Sequence, residues 1–597
     1  MTRRPDRRLV GLGLAILGLA GAAGAFESEG TRVWAHGDSL KVSPGGRWFN
    51  PAVPPSHRTR NAVFDDATRI LRIAGARGET LGFQLQIEAS RAALSDVDVA
   101  VELAGGGRPV AHFERFLAHY TEVREKSTSP GPSTGTGLYP DALIPFRVPG
   151  HGAPFSIEHG RTQGVWIDAA ISRSAAPGVY RGTVLVTARG KAPIRLSLEL
   201  TVFDFSVPER PSFRINVTTY DVGKGGHAIN SGWQNRFDIW GPEYAQLERR
   251  FYRMARAHRH VFHPRNVELP VSVDASGALS VDWARFDRRF GPLLDGSAFE
   301  DERPISYWEI GLAQNLPADR FGGARTPARG RAVEAYARAF AKHFAEKGWK
   351  PDELVAFPAD EPSRESAFAE ASFLARALRR GAPDIRFRMD VYKALDRELI
   401  ERFDALVDIW AIQGSYFKGL LGELVKRRER GVQVWFYQGS APALGPEILD
   451  TEGLALRTWG FIGWRYRMDA ADLWEGCKWQ LTDDIWTNPQ NNPWPTNGPG
   501  VLYYPGAKIG VDEPIPSIRL KQLRRGSFDH DYLALLAELG DEAGADAVAR
   551  SVVRSALDDT SQRRGESGDW SHDPDAWEAA RMKLARTIEA RRGLETR

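Results

Sequence analysis

Cysteine, net charge and long apolar runs are what the sequence has least of. Its 597 residues include one cysteine, Cys477, which excludes a disulfide within the chain. Lysine plus arginine number 79 against 76 for aspartate plus glutamate, and no arginine-rich stripe indicates a nucleic-acid partner. After the first 25 residues, no apolar run is long enough to cross a bilayer. The histidines around His258 fit no zinc-ligand spacing, so we expect no metal and no other cofactor.

The first 25 residues have the pattern of an export signal. Four arginines precede the apolar run Leu9–Leu19, and Ala23-Gly24-Ala25 fits a small-x-small cleavage site. We therefore expect the mature chain to begin near Phe26 and to be periplasmic or secreted, with no membrane span after cleavage. An exported protein without disulfides must obtain its stability from a large core, and a chain of this length can supply one.

Residues 26–208 show the period-2 alternation and short turn spacing of an all-β domain. Four clear examples are Thr80–Ile87, Gln163–Ala169, Gly182–Thr187 and Ile194–Phe203. Strands of this kind, separated by Gly and Pro turns, predict a β-sandwich. The segment Ser206–Ser212, with two prolines and two charges, reads as a linker to the next domain.

After the linker, strand-like runs alternate with longer helical patterns, which predicts an α/β domain over residues 209–540. Eight such strands match a (β/α)8 barrel of the TIM type. The predicted strands are Arg214–Tyr220, Val261–Arg265, Ile305–Leu312, Leu354–Ala359, Ile385–Val391, Ala405–Ile412, Gln433–Tyr437 and Gly460–Tyr466. Residues 541–597 read as a charged helical extension that forms a solvated outer layer.

Two adjacent carboxylates follow the fourth predicted strand, in Asp360-Glu361-Pro362. Active sites of β/α barrels lie at the carboxyl ends of the strands, so acidic residues there are candidates for chemistry. Neighbouring strand residues point to opposite faces, so both can reach one ligand only where the chain turns. Paired carboxylates indicate glycosidic-bond hydrolysis, in which one acid protonates the leaving oxygen. The alternative is that Asp360 only caps the following helix.

A second set of residues carries a resemblance to a known family. It comprises Asp360-Glu361-Pro362 and a late signature, Gly460-Phe-Ile-Gly-Trp-Arg-Tyr466, Tyr503-Tyr-Pro-Gly506, Pro514–Leu520, Leu523–Asp529 and Tyr532. With these residues the sequence resembles glycoside hydrolase family 123, the β-N-acetylgalactosaminidase family, over about residues 31–540. The resemblance implies substrate-assisted retaining catalysis, in which the 2-acetamido oxygen attacks the anomeric carbon and forms an oxazolinium intermediate. It assigns Asp360 to the acetamido N–H and makes Glu361 the general acid and then the base.

Further polar and aromatic residues follow the other predicted strands and are candidates for sugar binding. Tryptophan, of which there are 18, presents a flat apolar face that suits a pyranose ring. A tyrosine near the acetamido oxygen would help to hold it for attack. The candidate substrate-binding residues are Tyr392, Gln413, Tyr416, Tyr437, Trp464 and Trp486, the last near Trp494 in a polar loop.

The sequence leaves two alternatives to an N-acetylgalactosaminidase acting on a glycan or glycolipid. One is a glycosidase for another sugar, either a β-N-acetylglucosaminidase or an enzyme with a separate nucleophile such as Asp390. The other is a non-catalytic carbohydrate-binding protein of the envelope, which would keep an aromatic cleft but would not need a proton on Glu361. No oligomeric state is predicted.

Overall fold

The computed structural model describes residues 27–103, 109–129, 131–220, 227–273, 279–312, 314–438, 443–493, 495–560 and 568–595. The predicted signal segment, residues 1–25, and Trp494 lie outside these ranges.

The N-terminal region contains twelve strands in its described part. They are β1 (Glu27–Ser28), β2 (Thr31–Gly37), β3 (Phe64–Asp65), β4 (Ile70–Arg77), β5 (Thr80–Ala89), β6 (Leu94–Leu103), β7 (Ala111–Val123), β8 (Gly137–Pro145), β9 (Phe155–Ile157), β10 (Thr162–Ile171), β11 (Gly178–Thr187) and β12 (Ile194–Ser206). They form two six-stranded sheets, in the orders β1-β2-β5-β10-β7-β8 and β3-β4-β12-β11-β6-β9.

Alternating side chains explain how these sheets bury a core. In β12, Leu196, Leu198 and Leu200 are buried while Arg195 and Ser197 face outward. Apolar residues of both sheets belong to one buried cluster. The prediction of a sheet-rich N-terminal region is therefore confirmed.

The second half of the chain contains eight parallel strands in one sheet, ordered β14-β13-β22-β21-β20-β19-β18-β17. The outermost strands, β14 and β17, also contact each other, so the sheet is a nearly closed barrel. This confirms the predicted TIM-type barrel in its main features. The strands are β13 (Arg214–Tyr220), β14 (Val261–Arg265), β17 (Tyr307–Ile310), β18 (Glu353–Ala359), β19 (Arg386–Val391), β20 (Ile409–Gln413), β21 (Gln433–Tyr437) and β22 (Ala470–Leu473), with a small hairpin of β15 (Val271–Val273) and β16 (Leu279–Val281) between them.

The prediction of the eighth strand at Gly460–Tyr466 is wrong. Residues Thr458–Arg465 form helix α8, and the last barrel strand is the four-residue β22. All residues from Thr458 to Gly463 are buried, so the helix has no polar face along that stretch to reveal its period. A short apolar run of this kind cannot be assigned to helix or strand from periodicity.

Helices cover the outside of the barrel and follow its strands. They are α1 (Ala228–Ser231), α2 (Pro242–Ala257), α3 (Trp283–Leu294), α4 (Pro327–Lys347), α5 (Glu365–Gly381), α6 (Arg397–Arg402), α7 (Leu421–Val425), α8 (Thr458–Arg465), α9 (Ile518–Glu538), α10 (Glu542–Val552), α11 (Leu557–Thr560) and α12 (Pro574–Glu595); short strands β23 (Tyr503–Pro505), β24 (Pro514–Pro516), β25 (Val553–Ser555) and β26 (Asp569–Trp570) complete the chain. Within the described residues, no helix has both the length and the apolar character of a membrane span.

Helix α9 is the centre of the contact between the N-terminal region and the barrel. Its residues from Ile518 to Leu533 are all buried, although seven of them are ionisable Lys, Arg, His or Asp. It packs against α8, α10 and α12. At the contact with α8, a side chain at Gly460 would overlap the carbonyl oxygen of Gly526, which explains the glycines at this close approach.

The C-terminal segment is not a solvated outer layer. Trp577 and Leu584 of α12 are fully buried, and Arg581 of the same helix is 2% exposed. Two of its charged side chains, Glu578 and Arg581, face inward and pair with charges on α9 and on the N-terminal region. High charge in this segment therefore marks a buried ion-pair surface.

Candidate active site

The carboxylate pair Asp360–Glu361 lies at the mouth of the barrel, directly after β18. Two backbone features turn the chain at the carboxyl end of β18. Along β18 the chain advances three residues from Ala356 to Ala359 while the partner β19 advances two, which is a β-bulge. Glu361 then has a φ of 44°, in the left-handed region that costs a non-glycine residue energy. Both carboxylates are solvent-accessible at this turn.

Tyr437, at the end of β21, reaches across the mouth to Glu361. Its hydroxyl donates a hydrogen bond to Oε1 of Glu361. The ring is 7% exposed, and burial followed by the nearby carboxylates Asp390 and Glu361 keeps the pKa of the Tyr437 hydroxyl well above its usual range. The phenol therefore remains a donor at neutral pH and holds the carboxylate of Glu361 toward the barrel axis.

Two buried arginines lie beneath the carboxylate pair. Arg388 on β19 binds both oxygens of Asp390, at 2.6 and 2.7 Å, and also Oδ1 of Asp472 at 3.0 Å. Arg265 on β14 lies 3.4 Å from Glu309 and 3.8 Å from Asp472. These seven charged residues are called the mouth cluster below: Glu309, Asp360, Glu361, Asp390 and Asp472 with Arg265 and Arg388.

The ring of Phe357 contacts both guanidinium groups. The guanidinium carbon lies 4.4 Å from the ring centre for Arg265 and 5.0 Å for Arg388. These cation–π contacts hold both cations against the bulged segment of β18, three residues before Asp360.

Carboxylates outnumber cations in the mouth cluster, and the pKa values of three of these carboxylates are raised. Burial raises the pKa of Asp360, with Arg265 opposing and Glu361 adding to the rise. Burial likewise raises the pKa of Glu309 and takes that of Asp390 to about 6. Burial would also raise the pKa of Asp472, but Arg388 and Arg265 together hold it below its usual range. Crowded carboxylates with shifted pKa values are typical of sites that move protons.

Asp390 is poorly placed to act as a separate nucleophile. Both of its oxygens accept hydrogen bonds from one guanidinium group, and the residue is 4% exposed. A bidentate arginine contact fixes the orientation of a carboxylate and lowers the negative charge that an attack on carbon would use.

Three of the other predicted residues lie at the neighbouring strand ends. Tyr392 follows β19 and Tyr416 follows β20, and their half-buried rings have centres 4.5 Å apart. Gln413, the last residue of β20, is 2% exposed, and its Oε1 has no hydrogen-bond donor in the described part of the chain.

The structure does not bring Trp464 or Trp486 to the mouth. Trp464 lies on α8, outside the barrel, where its indole N–H donates to Asp546 at 2.9 Å. Trp486 is 3% exposed, and its ring packs against His119 of the N-terminal region and against Tyr504. The structure therefore places these two predicted substrate-binding residues away from Asp360 and Glu361.

Sequence reasoning missed Arg265, Arg388, Asp472 and Trp474. Charged residues two apart in otherwise apolar strands were the available signal, as in Arg388 and Asp390 of β19. Trp474 follows Asp472 with the same parity along the chain and is half-buried, with its indole N–H donating to Glu447 at 2.9 Å. Trp474 therefore lies directly after the carboxyl end of β22.

A cavity of about 380 Å³ opens at the opposite end of the barrel, beside the linker. It is lined by residues at the amino ends of strands, and its charges pair with one another or with adjacent groups, as in Arg256 with Asp301 and Arg259 with Asp531. Charged residues at this end of a barrel serve stability. Among the described residues, no three His, Cys, Asp or Glu side chains are arranged so that they could hold a metal ion.

Comparison with known proteins agrees with this geometry. Residues 323–536 match the family model of the glycoside hydrolase 123 catalytic domain. The fold is shared with a family 123 glycoside hydrolase from Clostridium perfringens, at 12% identity and a TM-score of 0.68 over 94% of this chain and 98% of that one. The protein is thus a glycosidase. The predicted resemblance to family 123 is confirmed, and the matched residues 323–536 lie largely within the barrel half of the chain.

Other overlaps are much weaker. A family 39 glycoside hydrolase from Bacteroides cellulosilyticus has 11% identity and a TM-score of 0.34, over 72% of this chain and 80% of that one. A β-glucuronidase from Bacteroides uniformis has 11% identity and a TM-score of 0.26, over 74% and 48%. No curated protein matches the sequence.

Proposed function

We propose that the protein is a retaining β-N-acetylgalactosaminidase that uses the acetamido group of its substrate as the nucleophile. The observation that carries this proposal is the adjacent Asp360–Glu361 pair, turned toward one mouth by the bulge and by the left-handed Glu361. Two carboxylates on neighbouring residues reach the mouth from one strand end, whereas an acid and an enzyme nucleophile flank the scissile bond. A mechanism in which the substrate supplies the nucleophile needs no such separation.

In this mechanism the two carboxylates have different tasks. Glu361 protonates the leaving oxygen and then activates the water that opens the oxazolinium intermediate. Asp360 accepts a hydrogen bond from the acetamido N–H and stabilises the positive charge that develops on that group. Tyr437 is the tyrosine best placed to orient these groups, because it already contacts Glu361.

The engagement of Asp390 with Arg388 supports this assignment over an enzyme nucleophile. The family 123 enzyme of Clostridium perfringens is described for glycolipid glycan hydrolysis, which supports glycans or glycolipids as the substrate class. The terminal sugar and its linkage are part of the proposal.

We also propose the wider organisation that the sequence predicted. The two N-terminal sheets pack as a β-sandwich domain over residues 26–208, and the catalytic domain covers residues 209–540. Residues 541–597 form a helical extension. Removal of the first 25 residues during export gives a periplasmic or secreted enzyme.

The test is release of chromophore from an aryl β-N-acetylgalactosaminide by wild type and by Glu361→Gln. Loss of a general acid lowers kcat/KM by about 10²- to 10⁴-fold. Glu370→Gln is the matched control, because Glu370 lies on α5 and pairs with Arg329 on α4. Equal activity of wild type and Glu361→Gln would overturn the assigned role. An inert wild type that hydrolyses another aryl glycoside would overturn the choice of sugar.

A further inference from the structure

Two half-buried tyrosines lie side by side at the rim of the barrel mouth. Tyr392 follows β19 and Tyr416 follows β20, and their ring centres are 4.5 Å apart with an angle of 59° between the ring planes. Each of the two loops also contains a fully buried apolar residue, Leu395 after β19 and Phe417 after β20, both 0% exposed. These buried residues anchor the loops, so the partly exposed tyrosines lie on a fixed backbone.

The loops after β19 and β20 are held together as one unit. The ammonium group of Lys418 donates hydrogen bonds to the carbonyl oxygens of Lys393 and Leu395, at 2.5 and 2.9 Å. The ammonium group of Lys393 in turn lies 4.8 Å from the ring centre of Tyr392. These contacts restrict the rings before a ligand arrives, which lowers the entropy that binding costs. The pair of Tyr392 and Tyr416 is called the tyrosine ledge below.

The tyrosine ledge lies beside Glu361. In the barrel sheet, β19 and β20 lie between β18, which ends just before the carboxylate pair, and β21, which ends at Tyr437. The hydrogen bond from Tyr437 to Glu361 therefore joins strand ends on either side of the two strands that precede the ledge. The Tyr437 hydroxyl also lies 3.4 Å from the carbonyl oxygen of Val391, the residue before Tyr392. A short chain of contacts thus connects Glu361 with the ledge.

A tyrosine surface in this place suits a sugar ring. The flat face of an aromatic ring packs against the C–H face of a pyranose, and the phenol hydroxyl can bond to a sugar hydroxyl. A general acid contacts the oxygen that joins the terminal sugar to its neighbour. The neighbouring sugar therefore begins at Glu361, and the ledge lies beside that residue.

We propose that the tyrosine ledge binds the sugar to which the terminal N-acetylgalactosamine is linked. This inference rests on the proposed function, in which Glu361 protonates the oxygen between these two sugars. Stacking on the ledge holds the leaving sugar while Glu361 transfers its proton, so the binding energy of that sugar contributes to the rate. The enzyme therefore favours a glycan over a substrate whose leaving group is too small to reach the ledge.

The test compares two substrates that have the same terminal sugar and different leaving groups. One is a disaccharide of N-acetylgalactosamine β-linked to galactose, which reaches the ledge. The other is β-N-acetylgalactosaminyl fluoride, which does not. The measured quantity is the ratio of kcat/KM for the disaccharide to kcat/KM for the fluoride. Loss of a stacking surface should lower this ratio by about 5- to 30-fold in Tyr416→Ala.

Two further variants separate stacking from stability. Tyr416→Phe keeps the ring, so its ratio should lie close to that of wild type. Tyr180→Ala is the matched control, because Tyr180 is a half-buried tyrosine of β11 whose hydroxyl donates to the carbonyl oxygen of Ala176, and it should leave the ratio unchanged. If Tyr416→Ala does not fold, the same fall is expected in Tyr392→Ala, and an unchanged ratio there contradicts the inference.

The outcomes separate this inference from the proposed function. A wild type active on both acetamido substrates, with an equal loss of kcat/KM on both in Tyr416→Ala, overturns the role of the ledge and leaves the proposed function standing. A wild type active only on another sugar overturns the proposed function. The fluoride and the galactose-linked disaccharide of that sugar then give the same ratio, and the inference stands only if Tyr416→Ala lowers it.

Discussion

The barrel mouth and the contact between α9 and the N-terminal region are both highly charged and both contain buried ion pairs, but they differ in the balance of positive and negative charge. The second region, called the interface network here, pairs five carboxylates with five cations: Asp38, Glu79, Asp168, Asp529 and Glu578 with Arg457, Lys521, Arg524, Arg525 and Arg581. The mouth cluster has five carboxylates and only two arginines.

The pKa values of Asp168 in the interface network and of three carboxylates in the mouth cluster are shifted in opposite directions. Burial would raise the pKa of Asp168, but Arg524 and Lys521 hold it well below its usual range. In the mouth, burial prevails at Asp360, Glu309 and Asp390, whose pKa values are all raised. In the interface network, the paired charges can only stabilise the contact between the two regions. In the mouth cluster, the excess carboxylates can exchange protons, and their negative charge can stabilise a positively charged group.

The largest expected effect comes from unbalancing the interface network. Asp168→Asn leaves Lys521 and Arg524, which contact it at 2.7 and 2.5 Å, buried without their carboxylate. We expect the free energy of unfolding to fall by about 3–5 kcal/mol, measured by chemical denaturation. The control is Asp352→Asn, whose partner Arg210 is exposed, with an expected loss of about 0–1 kcal/mol. A loss at Asp168 as small as at Asp352 would contradict the comparison.

Lowering the pH should change the free energy of unfolding with opposite sign in the two regions, because it removes the contribution of Asp168 and retains that of Asp390. The folded pKa of Asp168 is lowered, so its stabilisation is complete above about pH 4 and is lost as pH falls through the folded value. The pKa of Asp390 is raised to about 6, so its contribution is complete below its unfolded pKa and is lost as pH rises through about 6. Unfolding free energies of wild type and Asp168→Asn should thus differ by a constant amount from pH 7 to 5. The difference should narrow only below pH 4, and narrowing already at pH 6 would contradict this assignment.

Tyr437→Phe should affect catalysis and leave stability nearly unchanged. It removes one hydroxyl that donates to Glu361 and keeps the buried ring. Hydrogen bonds to charged groups contribute about 1.5–3 kcal/mol, so kcat/KM should fall by about 10- to 100-fold. Tyr466→Phe is the control, since its hydroxyl donates to Asp559 outside the barrel. Equal losses of kcat/KM in Tyr437→Phe and Tyr466→Phe would contradict a catalytic role for the Tyr437 hydroxyl.

The smallest effect is expected at Trp464. Trp464→Phe loses a hydrogen bond to Asp546 on the outer surface, which should lower stability by about 1 kcal/mol. KM should stay within about twofold of wild type in the aryl glycoside assay. A several-fold rise in KM would show that Trp464 contributes to sugar binding.

The fold could be predicted from the sequence wherever one face of an element is polar. Alternation in strands such as β12 and the acidic end of β18 were sufficient to predict sheets, a barrel and its mouth. The periodicity of the sequence did not reveal helix α8, because residues 458–463 are all buried and leave no polar face along that stretch. Sequence reasoning also failed at the C-terminal helices, where charge was taken for solvent exposure although Arg581 is buried against Glu79 and Asp529.

The site could be predicted only in part, because its geometry depends on backbone detail. The pair Asp360–Glu361 stood out, but the bulge before it and the φ of Glu361 leave no mark in the sequence. Part of the late signature that carried the family resemblance belongs to α9. There Arg524, Arg525 and Asp529 join the interface network and take no part in the mouth.

The most direct test of the central claim is the inhibition constant of a thiazoline analogue of N-acetylgalactosamine, measured for wild type and Asp360→Asn. The analogue mimics the oxazolinium intermediate, and Asp360 stabilises that charge in the proposed mechanism. The account predicts strong competitive inhibition of wild type and an inhibition constant at least about 10²-fold weaker in the variant. A wild type that hydrolyses the acetamido substrate but is insensitive to the thiazoline would contradict it and would indicate a nucleophile supplied by the enzyme.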